Sequence, residues 1–313
     1  MDAQKPLIGI SSCLLGEKVR YDGAHKYDDW INEQMANFFK FHSVCPEMLM
    51  GLGAPRPTMR VVRDPVDGEL KLWSHEGDKD LTSLIQKTNV DIQKNLPEIS
   101  GYIFMKKSPS CGVERVKIYR ANGSSEDKMG KGFFADFMVQ NYPLLPVIDS
   151  GRLFDPHERD NFLRRVMAYY RFHKLDGSIK SLQDFHARYK FLLLEYHQDR
   201  MRSLGKLAAN SDNTDPSIVY DKYRNYFFET LATLPTIKNQ INTFQHLMGF
   251  FKNNLSSDEK KLFMGLVQDF GKGILPYQVP LKMTHFFIEK YQHYYLLNHY
   301  YLDPYPKELM PKI

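Results

Sequence analysis

Short apolar runs, each closed by a turn or a polar helix start, punctuate the first 160 residues of the chain. Residues 5–10 predict a buried strand, and the spaced apolar positions of 28–41 predict a helix, after which Phe41 to Val44 bring the chain to Cys45. Residues 59–62 and 69–73 predict a hairpin turning at Asp67 and Gly68. A helix over 79–97 and a strongly apolar strand over 101–105, ending at Lys106, Lys107 and Ser108, complete this pattern. Gly16 and the Asp22-Gly23 pair read as turn residues.

Beyond residue 160 the periodicity becomes helical. It runs from 161 almost to 210, with a loop near 175–177, and meets a break rich in Asn, Ser, Asp and Pro at 210–216. Further helices are expected over 217–232, 236–252, 257–271 and 280–296. The fold class implied is α/β: an N-terminal domain with an open, mostly parallel sheet over residues 1–158, and a separate all-α C-terminal domain over 159–313. The many Tyr and Phe of the second half are expected to pack helices together.

Charge divides the chain at the same place. Residues 1–160 carry 21 Lys/Arg and 23 Asp/Glu, a balance of −2, whereas 161–313 carry 21 and 14, a balance of +7. The basic half is either a well-solvated helical surface or an attractor of a polyanion such as RNA. No apolar stretch approaches the roughly 18 residues of a membrane span, so no membrane association is expected. The chain opens Met1-Asp2-Ala3-Gln4-Lys5 without a basic, apolar leader, and three cysteines cannot all pair, so a reduced, cytoplasmic protein is expected.

Those cysteines carry the candidate chemistry. Cys13, Cys45 and Cys111 all lie in the first half, each behind a predicted strand and ahead of a turn or helix start. In an open α/β sheet such positions gather at the carboxyl ends of the strands, where ligands bind. Their separations of 32 and 66 residues exclude zinc-ribbon or ferredoxin spacing, so any convergence must come from the fold. Three thiolates suit a soft ion or an iron-sulfur cluster, and a four-iron cluster with three protein ligands keeps one iron open. Free cysteines are also common small core residues, but flanks of Ser, Pro, Glu and Gly speak for a site. Glu47, Ser108 and Ser110 stand beside Cys45 and Cys111 and could transfer protons, although Glu47 and Ser110 also suit helix starts. Lys106, Lys107 and Arg56 could hold an anionic or electron-rich ligand, and His25 and His42 are secondary candidates.

The frames Ser12-Cys13-Leu14-Leu15-Gly16 with Arg20-Tyr21-Asp22-Gly23, Cys45-Pro46-Glu47 followed by Gly51-Leu52 and Pro55-Arg56-Pro57, and Lys107-Ser108-Pro109-Ser110-Cys111-Gly112 resemble the DUF523 family, that of thiouracil desulfidases, over about residues 6–155. The resemblance implies that Cys13, Cys45 and Cys111 hold a [4Fe-4S] cluster, with one iron not ligated by protein and available to substrate sulfur. It makes Glu47 the proton-transfer residue, with Ser108 and Ser110 competing for an assisting role and Ser108 slightly preferred. The implied reaction is hydrolysis: sulfur of a thiocarbonyl binds the open iron, water adds to the ring carbon, and sulfide is released. The chain departs from the free-standing enzymes at Gly53 and Arg60, which argues against a small free thiobase as substrate.

Residues of about 160–305 resemble the DUF1722 helical domain through Phe185-His186, Tyr189-Lys190, Leu204-Gly205-Lys206 and the segment from His246 to Lys252. His186 and His246 either face RNA or serve packing. A desulfidase fold joined to a domain of charge +7 implies a thiolated base inside RNA: 4-thiouridine in tRNA, converted to uridine. The alternatives are 2-thiouridine, a free thiouracil or thiolated nucleoside, a different iron-sulfur or zinc enzyme on the same ligands, and a non-catalytic RNA-binding or iron-sulfur sensor protein.

Overall fold

In the computed structural model, which describes residues 5–75 and 79–310, the first apolar run forms β1 (Leu7–Ser11). It is followed by β2 (Lys40–Val44), a one-turn helix α1 (Pro46–Leu49), β3 (Met59–Arg63), β4 (Leu70–Ser74) and α2 (Thr82–Asn95). Then come β5 (Tyr102–Phe104), β6 (Val116–Arg120), β7 (Ser125–Gly130), α3 (Phe133–Asn141) and β8 (Val147–Asp149).

Four of these strands make a wholly parallel sheet in the order β2-β1-β5-β8. Parallel strands end on one edge, so the loops after β2, β1 and β5 emerge side by side. Close approach at the sheet centre depends on Gly9, which pairs with Tyr102 and where a Cβ would lie 2.3 Å from the Tyr102 ring. Tyr102 in turn stacks on Phe104 at 4.0 Å between centroids and meets the edge of Phe134 at 5.7 Å.

The predicted hairpin is present as β3 and β4, paired antiparallel, with Gly68 at φ 76° in the turn. It belongs to a second sheet of order β4-β3-β6-β7, in which β3 and β6 run parallel. The patterns over 79–97 and 101–105 appear as α2 and β5, with shorter bounds.

The helix expected over 28–41 does not form. A single π turn over Trp30–Gln34 and a 3-10 turn over Met35–Asn37 replace it, and Lys40 and Phe41 already belong to β2. The apolar signal was real, because Ile31, Met35 and Phe39 are all buried. Their uniform spacing of four residues fits a wider turn than the 3.6-residue α period, and Asn32 Nδ2 donates to Leu14 O at 2.9 Å, fastening the segment to the Cys13 loop.

The N-terminus of α3 docks on the loop after β5. Phe133 N donates to Pro109 O, Phe134 N and Ala135 N both donate to Ser110 O, and Gly132 N donates to Gly112 O at 2.7 Å. Helix-start amides that lack intrahelical partners are thereby satisfied by the loop that carries Ser110 and Cys111.

The chain divides into two compact units, Met1–Phe162 and Leu163–Ile313. Helix α4 (Pro156–Phe172) spans the division and is followed by α5 (Ile179–Tyr196), α6 (Gln198–Ala209), α7 (Pro216–Leu231) and α8 (Ile237–Met248). Then come α9 (Ser257–Gly271), α10 (Gln278–Tyr291) and a short α11 (Tyr294–Leu297). Side chains of Ser178, Asp215, Thr236 and Ser256 cap the starts of α5, α7, α8 and α9, the last as a reciprocal capping box with Glu259. An unforeseen break falls at His197, whose extended backbone closes α5 and opens α6.

Aromatic rings fill this unit as expected: Tyr189, Tyr223 and Phe227 are buried, and Phe185 meets Phe227 at 5.1 Å. The fully buried Glu195 is satisfied by Arg164 at 3.1 Å, Gln240 at 2.9 Å and Tyr277 at 3.2 Å. His186 is a packing residue, with Nδ1 3.0 Å from the Tyr223 hydroxyl and Nε2 against Gly205. His246 is exposed on α8. Among the described residues no helix is long and apolar enough to cross a membrane.

Two predictions follow from this packing. At Gly132 a Cβ would stand 2.5 Å from the Ser110 carbonyl carbon, backbone that cannot rotate away. Gly132→Ala is therefore expected to destabilise the first unit by about 1–3 kcal/mol in denaturant unfolding. In the second unit, burial first and Lys190 second lower the His186 pKa from 6.5 to about 4. The unfolded chain then binds a proton at higher pH than the folded one, so this contribution to stability is complete above about pH 6.5 and is lost as pH falls towards 4. His186→Gln should flatten the loss of stability between about pH 7 and about pH 4.5 relative to the unchanged chain, in paired unfolding titrations.

Candidate functional site

The three cysteines lie where the parallel edge predicts. Cys13 sits in a 3-10 turn directly after β1, Cys45 is the residue preceding α1 at the end of β2, and Cys111 lies in the loop that leaves β5. All three line one cavity of about 440 Å³.

Hydrogen bonds shape the backbone at Cys13 and Cys111. Cys13 O accepts from Lys26 N at 2.8 Å and from Gly16 N at 3.3 Å, with Gly16 at φ 92°. Ser108 Oγ accepts from Ser110 N at 3.2 Å and from Cys111 N at 3.1 Å, which shapes the loop around the third cysteine. Ser11, the last residue of β1, accepts from Met105 N at 3.0 Å and shares a side-chain hydrogen bond with Cys111. The strand that delivers Cys13 is thus tied to the loop that delivers Cys111.

Burial dominates the electrostatics. It pushes the Cys13 thiol up to about 12, with Cys45 adding to the shift and Arg20 opposing it. Burial likewise raises Cys45, and raises Cys111 well above the ordinary thiol value, with Glu47 and Cys45 contributing. Without a cation the three thiols stay protonated, because each thiolate would repel the others; a soft cationic group would displace their protons.

The donor set fits an iron-sulfur group. Among the described residues no group of three or more His, Cys, Asp and Glu is placed to hold a metal ion as the side chains stand. Three thiols around a shared cavity suit a wider group. The fully buried Tyr102 hydroxyl, whose ionisation is opposed by burial and then by all three cysteines, has no hydrogen-bond partner among the described residues. A buried donor within electrostatic reach of three thiols is one that sulfur acceptors would satisfy.

Glu47 stands in the first turn of α1 and lines the cavity. Its Oε1 accepts from Ser110 Oγ at 2.8 Å, and its Oε2 is paired with Arg56. The serine that reaches Glu47 is therefore Ser110, while Ser108 serves the loop backbone. Arg56, considered from sequence as a ligand hook, is buried and committed: besides Glu47 it donates to Gly53 O at 2.6 Å and Val19 O at 2.9 Å. A carboxylate offers about four lone-pair sites, so Glu47 keeps acceptor capacity towards the cavity.

Lys106 and Lys107 line the cavity, and Lys107 takes a left-handed φ of 58°. His25 and His42 are not among its lining residues. Sequence reasoning gave no role to Arg20, Tyr21 and Lys26, which do line it. The only signal was the Arg20-Tyr21-Asp22-Gly23 motif itself, whose turn closes through Gly23 N on Arg20 O and leads to Lys26, whose N donates to Cys13 O.

A family model described as 2-thiouracil desulfurase matches residues 8–150, and one described as a protein of unknown function (DUF1722) matches residues 190–306. The chain is 30% identical over 140 residues to YbbK, an uncharacterized protein of Bacillus subtilis, covering 43% of this chain and 90% of that one. It is 26% identical over 154 residues to YbgA, an uncharacterized protein of Escherichia coli, covering 47% of this chain and 90% of that one. A solved structure of the [4Fe-4S]-dependent thiouracil desulfidase TudS shares 26% identity, covers 48% of this chain and 95% of its own, and superposes with a TM-score of 0.36. The chain belongs to the 2-thiouracil desulfurase family through its first half, and carries a DUF1722 region behind it.

Proposed function

We propose that the protein is a desulfidase that exchanges the thiocarbonyl sulfur of a thiolated pyrimidine for oxygen from water, and that it acts on 4-thiouridine in tRNA. The observation that carries the reaction is the cavity in which three thiols face a carboxylate anchored at both oxygens by Ser110 and Arg56. Cys13, Cys45 and Cys111 would hold a [4Fe-4S] cluster, which with three protein ligands supplies an open iron as Lewis acid for the substrate sulfur.

The chain's own groups supply the proton chemistry. Glu47 accepts a proton from the water that attacks the ring carbon and returns it to the departing sulfur. Arg56 and Ser110 fix the direction of its lone pairs, so the carboxylate does not have to search for its partner. Lys106 and Lys107 bring positive charge to the cavity, where an electron-rich ring or a nearby phosphate would be attracted. Water adds, the carbon-sulfur bond breaks, and uridine and hydrogen sulfide leave without net electron transfer.

The +7 balance of residues 161–313 supports tRNA, since phosphates are bound chiefly by Lys and Arg. A second reading, free thiouracil, is supported by the family description and by a cavity volume of about 440 Å³, ample for one base. Turnover separates the two: anaerobic, cluster-loaded protein should release sulfide from tRNA containing 4-thiouridine with a much higher kcat/KM than from free 2-thiouracil or 4-thiouracil. The opposite ranking would make the free base the substrate.

Glu47→Gln should lower kcat by about 10²–10⁴ while the cluster absorbance is retained, and Ser110→Ala by a smaller factor, on the order of tenfold. Undiminished turnover by the cluster-loaded Glu47→Gln protein would remove Glu47 from the reaction.

A further inference from the structure

A second cleft, of about 730 Å³, opens beside the thiol cavity on the β3-β6-β7 sheet. Thr58, Met59, Lys107 and Pro109 line both, so the two spaces share a wall. Four cationic side chains, Arg60, Lys107, Arg115 and Lys117, line the cleft, and no carboxylate does.

Neighbouring contacts leave that charge available. Arg60 packs over the Tyr119 ring at 4.9 Å and meets His75 Nε2 at 2.6 Å, neither of which neutralises it. Lys117 is exposed. Among the described residues, Arg115 has an acidic neighbour, Glu114 at 3.4 Å, in an exposed pair of little strength. Lys107 and Arg115 both hold left-handed backbone, at φ 58° and 57°, a costly conformation for residues other than glycine.

We propose that this cleft binds the phosphate attached to the nucleotide whose base occupies the thiol cavity. In a nucleotide the base and its phosphates stand on opposite sides of the ribose. Base among the thiols, ribose on the shared wall of Met59 and Pro109, and phosphate among the four cations reproduces that order. The inference rests on the desulfidase reading and extends it: the first unit itself distinguishes a nucleotide from a free base, independently of the basic helical unit.

The test uses the full-length, cluster-loaded chain and two pairs of ligands. Binding of uridine and of uridine 3′,5′-bisphosphate is measured by calorimetry, and sulfide release is followed from 4-thiouridine and its 3′,5′-bisphosphate. The double variant Arg60→Gln/Lys117→Gln should weaken bisphosphate binding by about tenfold or more and reduce its salt dependence. It should raise KM for the thiolated bisphosphate more than for the nucleoside. Arg115→Asn/Lys117→Gln provides a second variant that spares the β3 packing, because asparagine tolerates the left-handed backbone of residue 115.

Bisphosphate binding unchanged in both variants overturns the cleft assignment even if every thiolated substrate turns over. Sulfide release from none of the substrates overturns the desulfidase reading, and with it the assignment of the cleft to a desulfurated nucleotide, whatever the binding arm shows.

Discussion

The parallel register of β2, β1 and β5 is the constraint on which the site depends. Cys13, Cys45 and Cys111 are separated by 32 and 66 residues, and no local motif could bring them together. Pairing Leu7–Ser11 with Lys40–Val44 along five positions, and Gly9 and Ile10 with Tyr102 and Ile103, ends the three strands on one edge. A slip by one residue would turn each strand over and move its loop, so the same side-chain packing that fixes the core fixes the thiols. Gly9 beneath Tyr102 and Ser11 beside Cys111 are the points where core and site meet.

Electrostatics explains why the surroundings are built as they are. Three thiols, two of them buried, and a carboxylate oppose one another's ionisation, and the chain answers with cations: the buried Arg56 on Glu47, and the half-buried Arg20 near Cys13. The lysines Lys106 and Lys107 stand further towards solvent, where they remain available to an incoming anion. Arg56 is committed to fixed partners while Lys106 and Lys107 are exposed at the cavity, a division consistent with the rigid fork of guanidinium and the compact, flexible ammonium.

Much of this was legible in the sequence because backbone signals are local. The strands leading to each cysteine, the β3-β4 turn at Gly68, and the helices α7 to α10 followed from apolar spacing and turn residues, whereas α5 and α6 read as one helical run because nothing in the pattern marks the break at His197. The segment 28–41 misled because three buried positions spaced four residues apart read as an α-helix until Asn32 is seen to bind the Cys13 loop. Strand β6 does alternate, with Val116 and Ile118 buried and Lys117 exposed, and went unread; β7, largely exposed and charged, gives no alternating pattern, and β8 is too short for one. Within the site, Ser108 and Ser110 were indistinguishable along the chain; only the loop's folding turns Ser110 towards Glu47 and Ser108 towards the backbone amides. The commitment of Arg56 was equally hidden, since it depends on Val19, 37 residues away.

The most direct test of a single shared thiol site is the iron and acid-labile sulfide content of anaerobically prepared protein, measured for the unchanged chain and for Cys13→Ser, Cys45→Ser and Cys111→Ser in turn. One site predicts about four irons and four sulfides per chain, with a large and similar loss in each of the three variants. Full iron and sulfide retained by any one variant, or a single metal ion per chain, would contradict it.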